Sequence, residues 1–233
     1  FFYLKGDIMT RFIRNLLCLT FIAATVFVYA VPVTIFHTND THSAYLPQNS
    51  RSGKIGGYAT LEYYLNAERA KTPVSLYLDA GDQQTGSIFS SLAYADAIGG
   101  AVIKVFNYLN LDAATYGNHE FDYSHENTIK LRELANYPFI TTNILDEKNQ
   151  PFGNMPYQIF SLDSLKIGIM GLTLTELPEK VKRENITGLT ILPYKEAIDK
   201  YIEEVDKQSD LIILLTHNGL GADSLLATVL DNR

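Results

Sequence analysis

Apolar positions along the chain fall into short runs rich in β-branched residues, and these alternate with stretches of helical spacing. Residues 33–37 and 74–78 read as strands on either side of a helix over 58–69. A helix-rich stretch follows over 90–109, then a short run at 113–116, a helix at 125–136 and a run at 139–142. Beyond a turn rich in Pro, Gly and Asn over 149–156, the runs 158–162 and 166–170 predict a hairpin. Across 194–207 the residues Ala197, Ile198, Tyr201, Ile202 and Val205 share one helical face, and the segment leads into a buried strand at 211–215. The alternation predicts an α/β fold with parallel strand pairs and some antiparallel structure in the middle.

The first thirty residues break this pattern. Arg11 and Arg14 precede an uncharged apolar run over 16–28, with Val28 and Ala30 as small residues flanking Tyr29. These are the parts of a secretory signal starting at Met9 and cleaved after Ala30, with residues 1–8 as upstream sequence. The run falls short of the about 20 apolar residues of a membrane span before Pro32 intervenes, so no stable span is expected after cleavage. Cys18 opens the run instead of following it, which disfavours a lipoprotein. The expectation is an exported protein, periplasmic or extracellular, whose folded domain covers residues 31–233.

Composition narrows the chemistry. With 46% hydrophobic residues the chain has enough apolar mass for a sizeable core. Lys and Arg number 19 against 26 Asp and Glu, which disfavours a nucleic-acid polymer as partner. Removing residues 1–30 leaves 16 basic against 25 acidic residues, a net charge of −9, and takes away the single cysteine. Disulfide frameworks and thiolate metal clusters are thereby excluded, while all five histidines stay.

The polar clusters fall at the carboxyl ends of the expected strands: Asp40 and His42, Gly81-Asp82, Asn118-His119 and Thr216-His217. Taken singly, each reads equally as a turn, a helix cap or a hydrogen-bonded core histidine. In open α/β sheets, however, the ligand crevice lies outside the carboxyl ends of the strands, so four separated clusters can converge there. Carboxylates, an amide oxygen and imidazoles suit divalent cations such as Zn²⁺, Mn²⁺ or Mg²⁺.

In these residues the chain resembles a known family. His37-Thr-Asn-Asp-Thr-His42, Asp79-Ala-Gly-Asp82 with Gly86-Ser87, Gly117-Asn-His-Glu-Phe-Asp122 and Leu215-Thr-His217 are similar to successive blocks of the calcineurin-like metallophosphoesterases, in particular the exported 5′-nucleotidase and 2′,3′-cyclic phosphodiesterase branch. The resemblance implies a sandwich of two mixed β-sheets flanked by helices, and two divalent metal ions. It implies Asp40 and His42 on the first ion, Asp82 bridging both, and Asn118 and His217 on the second. His119 would stabilise phosphate and leaving group, with Asp122 orienting it; the competing role for Asp122, or for Ser124, is to cap the helix from 125. Glu120 has no assignment, His37 is expected to pack behind the site, and His125 to lie on the helix surface.

The family pattern continues after Leu-Thr-His with a Gly-His-x-His segment that completes both metal sites, and with a separate C-terminal domain that binds the nucleotide. Neither is present in this sequence, so the resemblance implies a catalytic domain incomplete at its C-terminus. The expected activity is two-metal hydrolysis of phosphate monoesters, nucleoside 5′-monophosphates or related nucleotides above all, by metal-activated hydroxide. The alternatives are an inactive or weakly metal-binding fragment of such an enzyme, or a sulfur-ester hydrolase on the same scaffold. Asn185-Ile-Thr187 is a glycosylation sequon that would matter only in a glycosylating host.

Overall fold

The structure is a computed structural model that describes residues 32–230. The expected signal segment, 9–30, and the residues before it lie outside the described residues. In chain order the elements are β1 (Thr34–Thr38), β2 (Gln48–Ser50), β3 (Gly53–Ile55), α1 (Tyr58–Arg69), β4 (Ser75–Asp79), β5 (Ala93–Tyr94), β6 (Ala97–Ile98), α2 (Gly100–Tyr108) and β7 (Ala113–Ala114). They continue with α3 (His125–Leu134), β8 (Ile144–Leu145), β9 (Tyr157–Leu162), β10 (Leu165–Thr173), α4 (Leu177–Lys180), β11 (Thr190–Ile191), α5 (Tyr194–Asp206), β12 (Leu211–His217) and α6 (Leu220–Val229).

Two sheets carry the architecture. The first has the order β1-β4-β7, all parallel, with Thr38 level with Asp79 and Asp79 level with Ala114. The second has the order β12-β10-β9; β10 runs parallel to β12, with Thr173 level with His217, and antiparallel to β9. The two-residue turn between β9 and β10 puts Asp163 at φ 55, a conformation in which a short polar side chain costs little.

Strand alternation explains the layering. On β4, Leu76 and Leu78 point to one face and Tyr77 to the other. Leu76 and Leu78 join Ile167, Ile169 and Leu215 of the second sheet in a core between the sheets. Tyr77 joins Val102 and Phe106 of α2 and Leu131 of α3 on the outer face of the first sheet. Met170 and Leu172, on the opposite face of β10, meet Ile198 and Val205 of α5. Each such side chain taken fully out of water contributes roughly 1.5–3 kcal/mol, so the apolar stripe of α5 is held mainly by packing on β10 and not by helix propensity.

Two expectations need correction. Of the stretch 90–109, only Gly100–Tyr108 is α-helix; Ile88–Ser91 is a 3₁₀ turn and 93–98 is a hairpin, β5 with β6. The apolar spacing there was shared by both readings, and the chain reverses because Ala95 and Asp96 take φ 49 and 62 and Gly99 takes φ 81. A continuous helix cannot pass through such residues. The run at 139–142 forms no extended strand; Phe139 and Ile140 make isolated bridges to Ala114 and Met155.

Candidate metal centre

The loops after β1 and β4 run side by side beyond the sheet. Ala80 N–H donates to Thr38 O (2.8 Å), Asp40 N–H to Gly81 O (3.0 Å), His42 N–H to Asp82 O (3.0 Å) and Ser43 N–H to Gln83 O (2.9 Å). Asp40, His42, Ser43, Asp82 and Thr85 all take left-handed φ values, 50, 46, 48, 57 and 61. The short polar Asp40 and Asp82 tolerate that region, whereas a β-branched residue such as Thr85 held there costs of order 1–3 kcal/mol, and such strain clusters at functional sites. The backbone ladder between the loops is what maintains it.

Asp82 lies at the centre, with 3% of its surface exposed. Its Oδ2 is 3.3 Å from His217 Nε2 and 3.9 Å from His42 Nε2. Asp40 Oδ1 is 3.6 Å from the same His42 nitrogen. Both imidazoles are turned by backbone carbonyls: His217 Nδ1 donates to Ala80 O at 2.8 Å, and His42 Nδ1 to Gln84 O at 3.3 Å. A carbonyl oxygen only accepts, so each Nδ1 carries the hydrogen and each Nε2 is presented to the carboxylates. Burial works against a charge on His217, but its hydrogen bond to Asp82 and the Asp82 charge outweigh burial and push its pKa up to about 9. Burial likewise opposes the Asp82 charge, yet His217 and the His119 N–H hold its pKa below the usual carboxylate range.

The turn after β7 brings the third group. His119 N–H donates to Asp82 Oδ1 at 2.8 Å, and the His119 ring meets the His42 ring edge-on with centroids 5.0 Å apart. His119 Nδ1 is 2.7 Å from Asp122 Oδ2, and that oxygen also accepts the Thr85 hydroxyl at 2.5 Å. Burial lowers the His119 pKa, but the hydrogen bond to Asp122 and the charges of Asp82 and Asp122 raise it further, so the net shift is upward. The capping role falls to Ser124, whose Oγ accepts Asn127 N–H at 3.2 Å. Asn118, half-buried, precedes His119 directly and makes no cap hydrogen bond with its side chain.

Other expectations are revised. His37 is exposed on β1 instead of packing behind the site. His125 opens α3 half-buried, its ring edge-on to Phe152. Asn185 of the sequon is 6% exposed, and its Nδ2 donates to Phe121 O and Asp122 O, both at 2.8 Å. A buried amide so engaged clamps the His119–Asp122 turn and is no glycan acceptor. Asp79 is fully buried; it accepts the Thr38 hydroxyl at 2.6 Å and Gly81 N–H at 3.1 Å, and burial pushes its pKa up to about 7. Glu120 is 2% exposed among the backbone amides of both loops; burial raises its pKa while those amides act in the opposite sense. Thr85, Glu120 and Asn185 carry no local sequence signal of these roles, since every partner is distant along the chain or a backbone group.

The donor set fits divalent cations. Ligand atoms of Asp40, Asp82 and His217 lie within 4.8 Å of one another, and so do those of His42, Asp82 and His119. Asp82 belongs to both groups. The buried Asp82 and exposed Asp40 carboxylates, with the Nε2 atoms of two carbonyl-anchored imidazoles, form an oxygen and nitrogen environment suited to Zn²⁺, Mn²⁺ or related ions.

The chain is similar to known proteins over nearly all of the described residues. The family model described as "Calcineurin-like phosphoesterase" matches residues 33–232. The NAD 5′-nucleotidase of Haemophilus influenzae is 34% identical over 203 residues, which cover 82% of this chain and 32% of that protein. A 5′-nucleotidase of Vibrio cholerae is 34% identical over 190 residues, covering 80% of this chain and 34% of its own length. The solved structure of the Haemophilus influenzae NAD nucleotidase superposes with a TM-score of 0.70 at 30% identity, covering 83% of this chain and 35% of that one. The chain thus spans about a third of the length of these relatives.

Proposed function

The chain belongs to the calcineurin-like phosphoesterase family, and from that premise we propose that the protein it comes from hydrolyses phosphate monoesters of nucleotides at a site holding two divalent cations. The observation that carries the reading is Asp82, a nearly buried carboxylate common to both groups of converging ligand atoms. Two cations close together repel, and a shared anion offsets that repulsion. By the family resemblance Asp40 and His42 would hold the first ion, Asn118 and His217 the second, with Asp82 between them, whereas the converging ligand atoms pair Asp40 with His217 and His42 with His119 around Asp82. Bound cations would supply charge neutralisation at the phosphoryl oxygens and acidification of an attacking water.

The remaining residues define the protein's part. His119 has its Nδ1 engaged by the Asp122 carboxylate. That hydrogen bond fixes the ring and leaves Nε2 directed away from Asp122. By the family resemblance His119 is read as a donor to the phosphoryl group or leaving oxygen, although its ligand atom also approaches those of His42 and Asp82. Asp122 holds the ring, and Thr85 holds Asp122. The nucleotide class of substrate comes from the relatives, which are named as nucleotidases of NAD or of 5′-nucleotides. Export to the periplasm or exterior rests on residues 9–30 of the sequence. Among the described residues no helix is long and apolar enough to cross a membrane.

Dialysis against a chelator is expected to abolish AMP hydrolysis and Mn²⁺ to restore it, while Asp82→Asn lowers kcat at least ~100-fold, the scale of losing a directly acting group. Full turnover after both treatments refutes the reading. Parallel assays on AMP, a 2′,3′-cyclic nucleotide and a sulfur ester identify the substrate class.

A further inference from the structure

The Asp-Ala-Gly-Asp loop and the Gly-Asn-His turn belong to different strands, yet the cations of the proposed function require them in one register. Glu120 joins them. Its Oε2 accepts Asp82 N–H at 2.9 Å and Gly117 N–H at 2.7 Å, and its Oε1 accepts Gln83 N–H at 2.8 Å and Gln84 N–H at 3.3 Å. Four donors on two oxygens fill the acceptor capacity of an ionised carboxylate. Each of those amides, if orphaned in a buried place, would cost free energy comparable to a lost hydrogen bond.

The clamp is closed from the other side. The Asp82 carboxylate accepts the His119 N–H while Glu120, the next residue, accepts the Asp82 N–H. Glu120 is itself anchored, because the Thr128 hydroxyl of α3 donates to its carbonyl at 2.6 Å. There is no spare room between the two segments: a Cβ on Gly117 would overlap Asp82 Oδ1, and one on Gly81 would overlap Gly117 N.

We infer that Glu120 is a positioning residue, whose carboxylate sets the Asp82 loop against the Asn118–His119 turn at the spacing that two cations sharing Asp82 need. The inference rests on the two-cation reading of the site. Glu120 touches neither the nucleotide nor the cations; it acts through the backbone amides that carry the ligands. Replacement by Gln keeps size and shape but turns an NH₂ group toward two backbone donors, so the loops part locally while the distant core is untouched.

The test is titration of Mn²⁺ alone, followed by calorimetry, into the full-length protein the chain comes from, for the wild type, Asp82→Asn, Glu120→Gln and Glu120→Asp, with thermal unfolding of each metal-free protein alongside. Wild type is expected to bind and Asp82→Asn to lose binding. Glu120→Gln should bind about 10–100-fold more weakly, the scale typical for groups that orient metal ligands, while still unfolding cooperatively. Glu120→Asp keeps the charge but lacks one methylene of reach, and is expected to fall between the two. Folded Glu120→Gln with wild-type affinity overturns the inference. Should that variant not fold, wild-type affinity in Glu120→Asp overturns it, and weaker binding supports it. Absence of Mn²⁺ binding by the wild type removes the two-cation reading and this inference together, whereas normal wild-type binding with unaffected variants removes this inference alone.

Discussion

The Nε2 atom of His217, the last residue of β12, lies 3.3 Å from Oδ2 of Asp82, in the loop after β4. The two strands they follow or end belong to different sheets, and the His217 side-chain Nδ1 bond to the Ala80 carbonyl ties the same pair of elements. The site is therefore built where the carboxyl ends of both sheets meet.

This pair makes the metal-free protein sensitive to pH. His217 has a folded-state pKa raised to about 9, so its stabilising contribution is complete below its unfolded value of about 6.5 and is lost as pH rises through about 9. Thermal unfolding in chelator should show a falling midpoint between those pH values. Asp82→Asn should flatten that slope, and an unchanged slope in the variant would mean that Asp82 is not the source.

Asp79 adds a separate pH dependence at lower pH. Its pKa is raised by burial from 3.8 to about 7, so folding favours the protonated form; the contribution is full below about pH 4 and disappears as pH rises through about 7. Asp79→Asn keeps the shape and mimics the neutral form. Denaturant unfolding of the wild type should show a decline over pH 4–7 that this variant loses.

If His119 donates to the phosphoryl group and is not a ligand, His119→Asn should lower kcat by about 10²–10⁴, the scale of general acid catalysis, with Mn²⁺ affinity nearly unchanged. Thr85→Val removes the hydroxyl that donates to Asp122 Oδ2. It should lower kcat by roughly tenfold, about one hydrogen bond to a charged group, and leave Mn²⁺ binding intact. Loss of Mn²⁺ affinity in His119→Asn would reassign His119 to the cations.

Asn185→Ala leaves the Phe121 and Asp122 carbonyls without their amide donor. The expected cost is roughly 2–4 kcal/mol in urea unfolding, from two buried hydrogen bonds with partners left unsatisfied. A change under about 0.5 kcal/mol, the usual range for surface positions, would show that the turn holds without the clamp.

Much of the fold was legible where one periodicity dominated. The stripe of Ala197, Ile198, Tyr201, Ile202 and Val205 specified α5, and the runs around Asp163 specified the β9–β10 hairpin. Residues 93–98 form a hairpin within the helix-rich stretch expected over 90–109, because backbone φ at Ala95 and Asp96, not hydrophobic spacing, reverses the chain there. At the candidate site, Asp40, His42, Asp82, His119 and His217, whose ligand atoms converge, were legible as polar residues after strands. Their partners Thr85, Glu120 and Asn185 were not, since a hydroxyl, a carboxylate and an amide acquire such roles only from what lies beside them.

By itself, then, the sequence determined the order of strands and helices, the acidic balance and the donor chemistry of the candidate ligands, because periodicity and residue type are local properties of a chain. Tertiary structure alone decided that β4 and β12 bring Asp82 to His217, that the imidazoles present Nε2 because carbonyls occupy Nδ1, and that one buried carboxylate, Glu120, gathers four amides from two loops. Those facts depend on distances between residues far apart in the chain, and such distances exist only once the two sheets have packed.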